Sequence, residues 1–174
     1  MENNLKKWIK WAGMIIAVLA VAGGAWSFYK INWPPLDFDP ENFNELIKNA
    51  KSPEQIVEYT HLMQEAYKND PYGGATPEET LNLFVEALKK GDTDLASRYF
   101  AIDKRKEMAQ NLIRWKENGS IEKFLNDYKT GQDGQMSDDK NGYTMHVWNK
   151  EKTGQFLIEL GKVPQNNKWL IKRF

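Results

Sequence analysis

The chain has 174 residues, in which 24 lysines and arginines balance 24 aspartates and glutamates, so its formal charge is zero. A neutral chain is not a strongly basic nucleic-acid binder. It contains no cysteine and two histidines, which excludes disulfides, thiolate metal sites and cysteine nucleophiles; we expect neither a metal site nor a cofactor.

An uncharged stretch of 19 residues runs from Trp11 to Tyr29. At about 1.5 Å per residue it is about 28 Å long, close to the hydrocarbon thickness of a bilayer. Trp11 stands at its start, and Trp26, Phe28 and Tyr29 stand at its end, as in the aromatic belts of membrane anchors. Lysines are more numerous before the span than directly after it. The positive-inside rule therefore predicts that residues 1–10 are cytoplasmic and that the chain after residue 31 lies outside the cell membrane.

The same segment also has the elements of a cleaved signal peptide, namely a basic start, an apolar stretch and small residues around Ala22. However, the apolar stretch continues past Ala22 to Tyr29, and a second aromatic belt would have no purpose in a discarded peptide. We therefore prefer a membrane anchor at residues 11–29, with a secreted soluble domain as the alternative.

Residues 30–71 are predicted to form a linker and a two-helix stalk, with helices at about 40–50 and 53–68. Each helix has one apolar stripe, which must be buried against something. We expect this stripe to bind a protein partner or a second copy of the chain. The candidate partner surface consists of Phe43, Leu46, Ile47, Ile56, Tyr59, Met63 and Tyr67.

Three predicted helices begin with the same chemistry: a capping side chain, then a proline, then an acid in the first turn. These starts are Asp39-Pro40-Glu41, Ser52-Pro53-Glu54 and Thr76-Pro77-Glu78. The second and third also place Gln55 and Glu79 at the capping-box position. The pattern predicts helices that begin at residues 40, 53 and 77.

Residues 72–174 are predicted to form an α+β domain in which helices come first and an antiparallel meander comes last. Apolar residues at helical spacing predict helices at about 77–90, 103–117 and 120–128, and a short helix that holds Leu95 to Phe100. Residues 131–142 are polar and contain three glycines. Alternating side chains then predict strands at 143–149, 156–160 and 168–174, joined by turns at 151–154 and 165–167.

Residues 76–100, TPEETLNLFVEALKKGDTDLASRYF, resemble the opening of the nuclear-transport-factor-2-like (cystatin-like) superfamily, especially its bacterial extracytoplasmic members of unknown function. The segment from Asn167 to Ile171 resembles the final strand of that superfamily. The resemblance covers about 72–174 and implies a curved antiparallel sheet wrapped around helices, as a cone with a pocket. One N-terminal span before this fold is also similar to the layout of the bitopic assembly-factor subunit of type IV secretion systems.

The resemblance implies two candidate bases, since enzymes of the superfamily use a histidine or a carboxylate deep in the cone. These are His146 and Glu159, although a structural histidine and an acid on the polar outer face explain them equally well. No motif places two such groups together, so we assign no catalytic residue. The aromatic side chains either fill the core or line an apolar pocket. The candidate pocket residues are Tyr99, Trp115, Tyr128, His146, Trp148, Glu159 and Trp169.

We therefore expect a single-pass membrane protein whose extracytoplasmic domain is a non-catalytic binding or assembly module. Its expected partners are the membrane, through one span, and a protein or a second copy through the stalk, with no nucleic acid. The superfamily also includes enzymes and ligand binders, so its fold does not determine function. The alternative is a small-ligand binder, or an isomerase-like or hydrolase-like enzyme, that uses the cone cavity.

Overall fold

The computed structural model describes residues 37–174. The predicted cytoplasmic segment at 1–10 and the predicted membrane anchor at 11–29 lie outside these residues. Within 37–174, no helix combines the length and the apolar character that crossing a bilayer requires. This part of the chain contains six α-helices and a four-stranded antiparallel sheet, so the predicted α+β class is confirmed.

The helices lie close to their predicted positions. They are α1 (Phe43–Lys48), α2 (Pro53–Asn69), α3 (Pro77–Lys89), α4 (Thr93–Ser97), α5 (Arg105–Glu117) and α6 (Ser120–Thr130). Short 3-10 turns at Pro40–Asn42 and Ile102–Lys104 precede α1 and α5. The helix predicted at about 40–50 is therefore a 3-10 turn followed by a short α-helix.

The three predicted helix caps are confirmed. Asp39 accepts a hydrogen bond from the backbone N–H of Glu41, Ser52 accepts one from Gln55, and Thr76 accepts one from Glu79. The side chains at the capping-box positions also accept hydrogen bonds, from backbone N–H groups that lie just before each helix. Gln55 accepts from the N–H of Lys51 at 2.7 Å, and Glu79 accepts from the N–H of Ala75 at 2.6 Å. These contacts satisfy backbone donors that the first turn of a helix leaves unpaired.

The segment predicted as a stalk folds against the rest of the chain, since Phe38–Phe174 form one compact unit. Glu41 forms an ion pair with Arg98 at 2.8 Å, and Asn44 donates to Asp103 at 3.1 Å. The 3-10 turn before α1 also packs on the 3-10 turn before α5. Residues 38–50 are thus held to the α4–α5 region by polar contacts as well as by packing.

The predicted partner surface on α1 and α2 is largely turned inward. Tyr59 and Met63 are buried, Phe43, Leu46, Ile47 and Tyr67 are half-buried, and Ile56 is exposed. Phe38 stacks on Tyr59 with the ring centroids 6.2 Å apart. Most of the stripe is therefore covered by this chain itself. Ile56 and its neighbour Val57 are the large apolar side chains of α2 that stay exposed.

Segment 70–74 spans the predicted boundary between the stalk and the α+β domain, and it borders the sheet. The N–H of Trp169 donates to the Gly74 carbonyl at 2.9 Å, and the Thr80 hydroxyl donates to the Trp169 carbonyl at 2.8 Å. Gly73 has a φ of 92°, and a Cβ atom there would lie 2.5 Å from the Trp169 carbonyl oxygen. A glycine is needed at position 73 because the backbones approach this closely.

The sheet has the order β1-β2-β3-β4, and its strands are β1 (Gln132–Met136), β2 (Gly142–Trp148), β3 (Gln155–Lys162) and β4 (Trp169–Arg173). Three of the strands lie where the alternation predicts them. Strand β1 was not predicted, because all five of its residues are exposed and it has no apolar alternation. The outer side of β4 is covered, since Ile171 pairs with Phe100 and Trp169 pairs with Gly74.

One face of the sheet packs against the helices and forms the core. Tyr143, Met145 and Val147 of β2 lie on this face, opposite Leu160, Ile158 and Phe156 of β3. Phe84 of α3 lies at the centre of the helical side and is completely buried. Its ring centroid is 5.5 Å from those of both Phe100 and Phe174. The core thus contains a cluster of rings in edge-to-face contact. This arrangement is favourable for pairs of aromatic side chains.

Gly134 of β1 provides a test of the sheet packing. A Cβ atom at this position would overlap the Tyr143 hydroxyl and lie 2.5 Å from Cζ of that ring. We expect Gly134→Ala to lower the free energy of unfolding by about 1–3 kcal/mol, through overpacking. The measurement is urea denaturation of the full chain. Gly131→Ala is the matched control, because no atom lies within 4 Å of its added carbon. Equal stabilities of the two variants would contradict the expectation.

Candidate functional site

The structure divides the seven candidate pocket residues between the two faces of the sheet. On the core side, Tyr99 and Trp169 are buried, and Trp115 and Tyr128 are half-buried against the core. His146, Trp148 and Glu159 lie on the opposite face, since they alternate with the buried residues of β2 and β3. These two sets cannot line one cavity, because the sheet separates them.

The outer face of the sheet carries an aromatic and aliphatic cluster. His146 and Trp148 stack with ring centroids 6.1 Å apart and an interplanar angle of 13°. Leu157 of β3 lies directly opposite His146 in the register. We call His146, Trp148 and Leu157 the outer patch; all three are half-buried. At its side, Glu159 forms an ion pair with Arg173 at 3.2 Å.

The space between sheet and helices is filled with rings. Phe124 lies 4.9 Å from Phe174 and 5.4 Å from Phe156, measured between ring centroids. Trp115 lies 5.1 Å from Phe174. Of the two predictions for the aromatic side chains, core or pocket, this arrangement agrees with core for the residues on the helical side.

A cleft of about 370 Å³ lies where α5 meets the end of β4. Its apolar floor contains Phe100, Met108, Trp115 and Phe174, and its polar lining includes Lys104 and Glu107. The volume is at the small end of the range for ligand pockets. Trp115 is the one residue of the predicted pocket that lines this cleft.

The hydroxyl of Tyr143 lies near the start of α3, close enough to the Glu78 carboxylate for its charge to act on the phenol. Burial, followed by the negative charge of Glu78, raises the pKa of Tyr143 to about 12. The phenol is therefore protonated at neutral pH, and it acts as a hydrogen-bond donor rather than as a base. No three acidic or histidine side chains of residues 37–174 are grouped so that they could hold a metal ion.

The most buried charged contact joins α2 to α5, and the sequence did not indicate it. Arg105 binds the Asp70 carboxylate at 2.5 Å, with side chains that are 6% and 2% exposed. Arg105 also donates to the Phe100 carbonyl at 3.1 Å and lies over the ring of Tyr72. In the sequence Arg105 lies between two lysines, and Asp70 lies directly before a proline at the end of the predicted stalk. Neither context indicates a buried ion pair.

The hydroxyl of Tyr67 lies 3.4 Å from the Asp103 carboxylate, in the same region. Burial, followed by the charge of Asp103, raises the pKa of Tyr67 to about 12. Asn166, in the turn between β3 and β4, donates to the Tyr67 carbonyl at 2.7 Å. These contacts fasten the end of α2 to α5 and to the β3–β4 turn, which is a structural role.

The comparisons with known proteins do not identify the chain. No protein-family model matches it, and neither a curated protein nor a solved structure matches it significantly.

Proposed function

We propose that this chain is a membrane-anchored, extracytoplasmic module that binds or assembles other proteins and does no chemistry itself. The observation that carries the proposal is the outer patch, a cluster of partly exposed aromatic and aliphatic side chains on a sheet face that no helix of residues 37–174 covers. The opposite face is occupied by the ring cluster around Phe84 and Phe124. The molecule thus has a surface suited to a protein, and the space around Phe84 and Phe124 is packed, with the cleft between α5 and β4 at its side.

Interface energetics favour the outer patch as the site of contact. Tryptophan and arginine are enriched among residues that dominate binding energy, and Trp148 and Arg173 both lie on this face. Trp148 is half-buried, so it can lose its remaining exposed area to a partner without a large change in its own conformation. The Glu159–Arg173 pair at its side supplies polar groups for the rim of an interface.

The order of the elements supports membership of the nuclear-transport-factor-2-like superfamily. Helices come first, the antiparallel meander comes last, and the helices cover one face of the sheet. We propose the cone-like architecture on the same basis. The sequence resemblance at 76–100 covers α3 and α4, the elements with which the superfamily opens.

The proposed location follows from the sequence alone. The apolar stretch at 11–29 would anchor the chain, with residues 1–10 in the cytoplasm and the folded unit outside. Anchoring confines the folded unit to the membrane surface, which raises its effective concentration near other membrane components. A surface of modest area, such as the outer patch, is then sufficient for a specific contact.

Photo-cross-linking of the full chain in its native membrane tests this proposal. A photoreactive residue at Thr144, which lies beside Glu159 on the outer face, should form an adduct of defined mass with a protein. Trp148→Ala should weaken this contact at least about thirtyfold, the effect expected for a dominant interface residue. The control carries the photoreactive residue at Lys90, an exposed position at the end of α3. Identical adducts from both positions, or an adduct that is unaffected by Trp148→Ala, would count against the outer patch.

A further inference from the structure

The two edge strands of the sheet, β1 and β4, differ in whether other segments pair with their outer side. The edge at β4 is covered by segments around Gly74 and Phe100. The edge strand β1 pairs only with β2, and all five residues of β1 are exposed. An open strand edge is a template for another strand, because its outward backbone groups are unpaired.

The register shows which backbone groups of β1 point outward. The N–H of Trp148 donates to the Gly131 carbonyl, and the N–H of Ser137 donates to the Gly142 carbonyl. Hydrogen-bonded pairs recur at every second residue of an antiparallel ladder, so Asp133 and Gln135 bond to β2. The N–H and C=O groups of Gln132, Gly134 and Met136 therefore face away from β2. Within residues 37–174 these backbone groups have no hydrogen-bond partner.

This edge lacks several of the devices that usually protect an open strand. It contains no proline, no lysine and no bulge, and each of its residues is exposed. Asp133 is its one charged side chain. The backbone of β1 is thus available to a partner that supplies donors and acceptors at strand spacing.

We propose that β1 pairs antiparallel with β1 of a second copy of this chain, so that the two sheets become one continuous sheet of twice the width. Centring the two-fold axis on Gly134 places Gln132 opposite Met136, and Asp133 opposite Gln135, of the other copy. Each outward-facing residue then meets another outward-facing residue, which allows about six hydrogen bonds.

The charge pattern of β1 is compatible with a second copy as the occupant. In this register Asp133 of one copy faces the uncharged Gln135 of the other, so no like charges stand directly opposite each other. Gly134 lies on the two-fold axis, and it has no side chain that could clash with Gly134 of the other copy. The same sequence is thus complementary to itself, as a two-fold interface requires. The pairing is independent of the proposed partner contact, since the outer patch lies on the sheet face rather than at this edge.

The absence of cysteine from the chain makes disulfide cross-linking a clean test. Two full-length versions with different tags, one Asp133→Cys and one Gln135→Cys, are produced together in the membrane and oxidised. Facing residues of a non-hydrogen-bonded pair have Cα atoms about 4.5 Å apart, within the range for a disulfide. We expect the mixed dimer to form at least about tenfold faster than dimers of either version with itself, since identical positions face only diagonally.

Two controls address accessibility and backbone pairing. Lys90→Cys combined with Lys51→Cys places thiols at exposed positions, one at the end of α3 and one between α1 and α2, and should give no preferential mixed dimer. Met136→Pro, added to both cysteine versions, removes an outward N–H but no bond to β2, and should reduce the mixed dimer to the control level. Met136→Gln keeps that N–H, so it should leave the yield of the mixed dimer unchanged.

Three results would overturn the proposal. One is a mixed dimer that forms no faster than the dimer of the Lys90 and Lys51 control pair. Another is equal rates for mixed and like pairs, which would indicate collision without register. The third is a disulfide yield that Met136→Pro leaves unchanged. The photo-cross-link at Thr144 is read separately, so a failure of this pairing is distinguishable from a failure of the proposed function.

Discussion

Arg105→Met is expected to lower the free energy of unfolding by about 3–5 kcal/mol, because it leaves the Asp70 carboxylate buried without its partner. The Asp70 side chain is 2% exposed, so water cannot replace the guanidinium without local opening. The substitution also removes the hydrogen bond to the Phe100 carbonyl and the contact with the Tyr72 ring. Methionine retains much of the apolar volume, so the loss is mainly electrostatic.

Urea denaturation of the full chain, followed by circular dichroism, measures this effect. Arg98→Met is the matched control, because Arg98 also forms an ion pair across elements, with Glu41 at 2.8 Å. Its side chain is 35% exposed, so we expect a loss of no more than about 1 kcal/mol. If both variants lost the same stability, burial would not be the factor that makes the Asp70–Arg105 pair important.

Phe84→Ala is the second substitution with a large expected effect. The Phe84 ring is completely buried and contacts the rings of Phe100, Phe124 and Phe174. Its removal leaves a cavity between α3 and the sheet and also loses the edge-to-face contacts. We expect a loss of about 3–5 kcal/mol in the free energy of unfolding, the usual range for a buried phenylalanine.

Leu83→Ala is the control for this variant, because it lies one residue away on the same helix but is 38% exposed. Its expected loss is below about 1 kcal/mol. The comparison holds the helix and the replacement residue constant, and the two variants differ in the burial and the size of the side chain removed. A small effect at Phe84 would mean that the neighbouring rings collapse into the cavity, and that the interior is less tightly packed than the ring contacts indicate.

Local signals predicted the elements well. The three proline-initiated helices begin where their caps stand, because capping is decided by residues that are close in sequence. Strand β2 was predicted because one face is buried and its side chains alternate accordingly, and β3 was predicted from the apolar run of Phe156, Ile158 and Leu160 with Leu157. Strand β1 carries no such alternation, and its pairing with β2 depends on contacts that a single segment does not encode.

The candidate site was predicted less completely. Alternation placed His146 and Trp148 on the face opposite Tyr143, but it could not tell which face the helices cover. That choice decides whether His146 lies in a cone interior or on an outer surface, and it depends on how α3, α5 and α6 pack. The stripe of α2 was predicted as apolar, whereas only the fold determines that Tyr59 and Met63 are covered by this chain itself.

The sequence alone therefore determined the α+β class, the helix starts and three of the four strands, and it is the basis on which the membrane anchor is proposed. Each depends on periodicity, capping or length, which are properties of short segments. The tertiary structure alone decided the Asp70–Arg105 pair, the outer patch and the open edge of β1. These features join residues that are distant in the chain, and their energies arise from burial and pairing that exist only after the chain has folded.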